Sequence, residues 1–327
     1  METLIPFIDM HCDTLTPAAL HHRSDISRLP DEQIDLLRLR RGGCMAQFFA
    51  VCLPELPKVQ RLGRLYPGDD RYFRFVRREL MRTLEKHPDL ITLARRYEDI
   101  ENAAAQGRIA ALLTIEDGRL IEGSLKRLNR YYQMGVRLIT LTWNYANCFG
   151  SPNSTDPQVM QRPLSDFGRE AIPEMNRLGI IIDVSHLSDG GFYDVAALSK
   201  KPFAASHSNC RALCAHPRNL TDDMIRVLAE HGGVAGLNQY PQFLYDGASE
   251  SRMEDLVRHL RHLTDVGGIE VAALGSDFDG FTGTPCLKGP QDYPRLAGAL
   301  LKEGFSSSDL DKIFHGNVLR FLKDVLS

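Results

Sequence analysis

Long apolar runs are missing from this chain. No stretch approaches the roughly 18 apolar residues that a membrane-spanning helix needs, so no span is expected. The opening residues, METLIPFIDMH, lack a basic segment followed by an apolar one, and no lipid-anchor tail closes the sequence. Neither a signal peptide nor a lipid anchor is expected. An excess of one charge is missing too: 39 Lys and Arg stand against 42 Asp and Glu, a formal net charge of −3. Nucleic-acid binding rests on clustered basic side chains, so no nucleic-acid partner is expected. The Arg-rich stretch Arg71–Arg82 carries Phe73, Phe75, Val76 and Leu80 among its arginines. That pattern predicts an amphipathic helix with a solvated arginine face. No P-loop, no strand-anchored G-x-G-x-x-G and no G-x-S-x-G elbow occurs, which removes the usual phosphate loops and the serine-hydrolase elbow. The seven cysteines are odd in number and scattered. They suit a reducing compartment better than a disulfide framework, and the cytoplasm is the expected location.

What is present is a repeat. Eight short apolar runs alternate with longer amphipathic segments: Leu4–Asp9, Met45–Cys52, Ile109–Ile115, Val136–Thr142, Ile180–Val184, Pro202–Ala205, Gly233–Leu237 and Val271–Gly275. Continuous apolar runs are what strands covered on both faces look like. Ser124, Ser165, Thr221, Ser251 and Ser306 read as helix caps, and glycines follow several of these segments. The last helix is expected from Ser306–Ser308 to about Leu326. This rhythm predicts βαβ units closed into a (β/α)8 barrel, the TIM barrel, as one domain over residues 1–327. Two irregular stretches, about 54–70 and 144–163, follow strands and are expected on the active-site face.

Six acidic or imidazole side chains fall at the carboxyl ends of the expected strands, where barrel enzymes place their chemistry. His11 and Asp13 stand after the first run, Glu116 ends the third, and His186, His207 and Asp277 follow the fifth, sixth and eighth. The i, i+2 spacing of His11 and Asp13 turns both to one side of extended backbone. Imidazole and carboxylate together suit zinc or a similar divalent ion. Taken alone, His-x-Asp is weak, Glu116 also reads as a surface glutamate at a strand–loop junction, and a lone histidine is more often a satisfied core residue. Two histidines on successive strands, facing a His/Asp pair and a glutamate, favour metal. Asp277, nearer the strand end than Asp279, is the candidate to move protons, and Asp279 reads as a turn residue before Gly280. His259 and His262 share a helix face expected to be solvated. His21, His22, His87, His216, His231 and His315 sit in loop or helix-end contexts and are poor candidates.

These residues resemble the renal, or membrane, dipeptidase family of zinc metallopeptidases. The matching stretches are IDMHCDT (Ile8–Thr14), TIEDG (Thr114–Gly118), GVRLITLT (Gly135–Thr142), IDVSHLSD (Ile182–Asp189), ASHSN (Ala205–Asn209), HPRNLTDD (His216–Asp223), GSDFDG (Gly275–Gly280) and GNVLR (Gly316–Arg320). They run in order over nearly the whole chain. The resemblance implies two zinc ions, one held by His11 and Asp13, the other by His186 and His207, with Glu116 bridging them. It implies that Arg218, with help from Tyr240, holds the carboxylate of a dipeptide substrate, and that Asp277 exchanges protons with the nucleophilic water and the leaving amine. The family often accepts a D-residue at the C-terminal position, and related enzymes are often dimers. The chain departs from the pattern at Trp143, where animal members carry a substrate-contacting histidine, and Asn144 is the candidate to replace it. Asp117 stands where a glycine is common. Without the animal members' secretion signal and disulfides, the chain looks like a bacterial-type intracellular relative. Two other readings fit the same residues: another binuclear amidohydrolase on this barrel, whose members usually open with His-x-His, and a non-catalytic relative that binds peptide or metal.

Overall fold

The computed structural model describes residues 4–23 and 25–326. Among the described residues nine strands form one sheet: β1 (Phe7–Cys12), β2 (Cys44–Cys52), β3 (Ile91–Leu93), β4 (Ile109–Glu116), β5 (Val136–Thr140), β6 (Ile181–Asp183), β7 (Ala204–Ala205), β8 (Val234–Leu237) and β9 (Ala272–Leu274). Every pairing is parallel, and β2 meets both β1 and β4, so eight strands close into a barrel. The extra strand is β3. It pairs with Ile109–Ala111 of β4 below the point where β5 begins to pair, at Leu113. The sequence pattern did not anticipate it, because three residues carry no periodicity that stands above a loop.

Side chains of alternate strand positions fill the barrel. Ala110, Leu112, Thr114 and Glu116 share one face of β4, so the position that closes the strand presents a carboxylate inward. Ile8, Met10, Phe48, Leu112 and Leu138 belong to one apolar cluster with Phe321, Leu322 and Val325 of the terminal helix. Each such fully buried side chain contributes about 1.5–3 kcal/mol through removal from water. A larger cluster joins outward-facing residues such as Phe49, Leu113 and Ile139 to the surrounding helices.

Several expectations hold locally. Ser124, Ser165, Thr221 and Ser306 each accept a backbone N–H at a helix start, and Gly179 ends a helix with φ 73°. The Arg-rich helix runs Asp69–Lys86 and buries Tyr72, Phe73, Val76 and Leu80, with Arg71, Arg74 and Arg78 exposed.

Others need correction. The first strand lies three residues later than expected, so His11 is inside it. A register irregularity between Asp9 and Cys12 accompanies that histidine. Ser251 caps nothing; its Oγ accepts the Cys286 N–H, and the helix Met253–Gly267 starts without a side-chain cap. The last helix is interrupted by a π-turn at Lys312–Gly316 between Ser307–Asp311 and Asn317–Leu326. The stretch after β2 is partly helical, over Leu56–Leu62 and Gly63–Leu65. His259 is buried rather than solvated: its Nδ1 accepts the Cys210 N–H and its Nε2 meets the Leu244 carbonyl at 3.0 Å.

Candidate metal centre and substrate cavity

The six strand-end residues come together at one end of the barrel. His11 ends within β1 and Asp13 follows it. Glu116 is the last residue of β4, and His186, His207 and Asp277 stand just past β6, β7 and β9. All six side chains are buried. Glu116 faces two ways: Oε1 lies 3.1 Å from His186 Nε2 and 3.4 Å from His207 Nε2, while Oε2 lies 3.7 Å from His11 Nε2. His11 Nε2 is also 3.7 Å from Asp13 Oδ2 and 3.8 Å from Asp277 Oδ1. Three overlapping triads have mutual donor distances within 4.8 Å: His11–Asp13–Glu116, Glu116–His186–His207 and His11–His207–Asp277. Each can hold a metal ion.

The chemistry of the cluster asks for a cation. His11 Nδ1 and Nε2, Asp13 Oδ1, Glu116 Oε2 and His186 Nδ1 are buried with no hydrogen-bond partner, a costly state for polar atoms in a folded interior. Burial, reinforced by Glu116, lifts the Asp13 carboxyl to about 6. Burial lifts Asp277 to about 7, against the pull of His11 and with a push from Asp13 and Glu116. Burial also works against Glu116, but His11, His186 and His207 hold its carboxyl well below the ordinary range. Burial keeps His186 neutral, down to about 4, and His207 neutral likewise, which is the form that ligates. Gly280 supplies the room. A Cβ there would collide with Asp13 Oδ2 and Asp277 Oδ1.

A layer of hydrogen bonds sets the ligands. Asp183 Oδ1 accepts the N–H groups of Ser185 and Ser206, and Oδ2 accepts the hydroxyls of Thr140 and Ser206. Because the Ser206 proton goes to Asp183, Ser206 Oγ is left to accept from His207 Nδ1, 2.7 Å away. That leaves His207 Nε2 unprotonated and aimed at Glu116. Asp9 plays the matching part below His11, taking Ser276 N–H, Ser276 Oγ–H and the His11 N–H. His186 holds φ 68°, and its carbonyl accepts from Thr142 Oγ and from the backbone and side chain of Asn153. Asp277, at φ 60°, accepts from Asn238 Nδ2 at 2.9 Å. Non-glycine residues in this left-handed region are commonly kept for function.

Beside the cluster opens a cavity of about 570 Å³, lined in part by Trp143, Asn144, Arg218 and Tyr240. Arg218 is buried, and its guanidinium donates to Ser208 Oγ and the His207 carbonyl while Nε has no partner. Burial lowers it to about 10, so it stays a cation at neutral pH. Phe243 lies under it at 5.2 Å. Tyr240 packs against Phe243 and Phe281. The Trp143 ring stands 6.4 Å from that of His186.

Sequence reasoning missed several neighbours. His216 lines the cavity, and its Nδ1 accepts the Arg218 N–H. Asp279 is more than a turn residue: it takes Thr14 Oγ and the N–H groups of Gln33 and Ile34, tying the loop after β9 to the segment before β2. Asp117, at φ 82°, accepts from Arg119 and Asn147, and its backbone explains why glycine suits the position. A signal for the supporting acids was available: Asp9 and Asp183 each precede a ligand candidate inside an apolar run.

The family model described as membrane dipeptidase matches residues 1–327. The dipeptidase aclJ of Aspergillus oryzae is 32% identical over 99% of this chain and 79% of its own length. A solved metallo peptidase from Rhodobacter sphaeroides, liganded with a phosphinate mimic of the dipeptide L-Ala-D-Ala, superposes with TM-score 0.88 at 27% identity, covering 98% of this chain and 99% of that one. A second solved structure, the metallo peptidase called dipeptidase AC, gives TM-score 0.89 at 28% identity over 99% of both chains.

Proposed function

The chain belongs to the membrane dipeptidase family of metallopeptidases, and on that premise we propose that it hydrolyses dipeptides, L-Xaa-D-Xaa among them, with two zinc ions bound by its strand-end cluster. The observation that carries this reading is the division of Glu116, one oxygen toward His186 and His207, the other toward His11. His11 and Asp13 would hold one ion and His186 and His207 the other, with Glu116 within reach of both groups. Nitrogen and carboxylate donors suit zinc.

Bound zinc supplies a Lewis acid for the scissile carbonyl and lowers the pKa of water toward neutrality. The chain's own residues do the rest. Arg218 pairs with the substrate carboxylate, for which a planar guanidinium with an unpartnered Nε is shaped, and Tyr240 closes that end. Asp277, held by Asn238, takes a proton from the attacking water and returns it to the departing amine. Asn144, on the wall beside Trp143, offers an amide N–H to the developing oxyanion. The seven free cysteines support a reducing compartment such as the cytoplasm, with residues 1–327 acting as one catalytic domain. Among the described residues no helix is long and apolar enough to cross a membrane. The test is cleavage of L-Ala-L-Ala and L-Ala-D-Ala by purified protein with and without chelator. Chelator-sensitive cleavage is expected; no cleavage of either by zinc-reloaded protein would refute the reading.

A further inference from the structure

A dipeptide carries two charges, a carboxylate at one end and an ammonium at the other. Arg218 is the only Lys or Arg among the described residues that line the cavity. Five carboxylates share the lining, and four are engaged. Asp13 and Glu116 belong to the metal-capable triads, Asp277 accepts from Asn238 and faces His11, and Asp279 is taken by Thr14, Gln33 and Ile34. The fifth is Glu55. It is exposed to the cavity, and no hydrogen bond or ion pair engages its side chain among the described residues. It is also the N-cap residue of Leu56–Leu62 yet makes no side-chain cap hydrogen bond, and that helix buries none of its residues. Neither capping nor packing accounts for an acid there.

The backbone delivers Glu55 to a defined place. Cys52 is the register partner of Glu116, and the Leu53 N–H donates to the Glu116 carbonyl at 3.2 Å. The Pro54 carbonyl accepts from Arg119 at 2.7 Å, and that guanidinium is itself fixed by Asp69 and Asp117. Glu55 therefore stands one residue past a clamped carbonyl. Around the barrel, β2 and β7 are separated by three strands in either direction. Glu55 follows β2 and Arg218 follows β7, so the acid and the cation rise from opposite sides of the rim with the metal-capable cluster between them.

We propose that Glu55 is a specificity-determining residue that receives the α-ammonium of the dipeptide while Arg218 receives its carboxylate, so that the cavity selects substrates by their two terminal charges. This rests on the dipeptidase reading above. An N-blocked substrate loses the partner of Glu55 but keeps that of Arg218; a C-terminal amide does the reverse.

The experiment uses zinc-loaded full-length protein and three substrates: L-Ala-L-Ala, its N-acetyl form and its C-terminal amide. The wild type is expected to prefer the free dipeptide over both blocked forms. In E55Q the KM for the free dipeptide rises about 5-fold, the range of a solvent-exposed ion pair, and the loss falls on KM rather than kcat. The preference over the N-acetyl form shrinks by the same factor, while the preference over the amide stays. E55D recovers part of the loss. Added salt raises KM more for the wild type than for E55Q, which keeps only the buried Arg218 pair. The proposal is overturned if E55Q keeps the wild-type preference over the N-acetyl form, or if both preferences fall together, which marks a general distortion of the cavity. Failure of the dipeptidase reading shows differently: the wild type itself would cleave no free dipeptide, and the assignment of Glu55 would fall with it.

Discussion

His186 and His207 point their Nε2 atoms at one another across 3.1 Å, with the Glu116 carboxylate closing the third side. Two neutral imidazoles so placed share one gap, and a cation filling it satisfies all three groups at once. The ring of His207 also stacks on that of His11 at 3.9 Å, so the two halves of the cluster are in direct contact through it.

The tautomer of His207 is set by the relay Asp183–Ser206–His207. Ser206→Ala removes the acceptor for Nδ1–H and frees the ring to protonate Nε2 instead. The expected result is a loss of metal affinity of roughly 10–100-fold, as for other outer-shell partners. Asp183→Asn combined with it should cost less than the sum of the two, because both act through one relay. Competition with a chromogenic chelator measures this.

Arg218→Lys should raise KM by about 10–100-fold and leave kcat far less affected. Lysine keeps the charge but loses the fork that reaches the carboxylate, the Ser208 hydroxyl and the His207 carbonyl together. Steady-state kinetics on a free dipeptide and its C-terminal amide separate the cases, since the amide should hardly notice the change.

Asp277→Asn keeps the hydrogen-bonding shape of the side chain and removes its proton chemistry. The expected loss in kcat is roughly 10²–10⁴-fold, with metal content retained. A variant with full kcat would remove Asp277 from the mechanism.

The buried His259 makes stability pH-dependent. Burial brings it from the ordinary 6.5 down to about 4, so the fold favours the neutral ring. Its contribution is complete above pH 6.5 and is lost as pH falls from 6.5 through about 4, where the unfolded chain binds a proton the folded one refuses. The loss is on the order of 3 kcal/mol. Urea unfolding of wild type and His259→Gln between pH 7 and 5 checks it: the variant should show the shallower decline.

The parts of the molecule legible in the sequence are those governed by local pattern. Apolar runs such as Ile109–Ile115 marked barrel strands, and Ser165 and Thr221 marked helix starts through hydrogen bonds made within three residues. Position at strand ends then singled out His11, Asp13, Glu116, His186, His207 and Asp277, which the fold brings together. What stayed hidden depends on contacts between distant segments. His259 lies on a helix whose polar pattern reads as solvated, but Cys210 and Leu244, 49 and 15 positions away, bury it. Ser251 looks like a cap and serves Cys286 instead. Asp279 anchors a segment 246 positions earlier through Gln33, and His216 gains its role only where Arg218 folds back beside it.

The central claim is that one carboxylate, Glu116, joins two metal sites into a dipeptide-cleaving centre. Metal content and L-Ala-D-Ala hydrolysis measured on the same samples of wild type and Glu116→Gln test it most directly. About two zinc ions per chain with chelator-sensitive turnover in the wild type, and loss of both metal and turnover in the variant, is the expected result. A Glu116→Gln protein that keeps two zinc ions and wild-type turnover would contradict it.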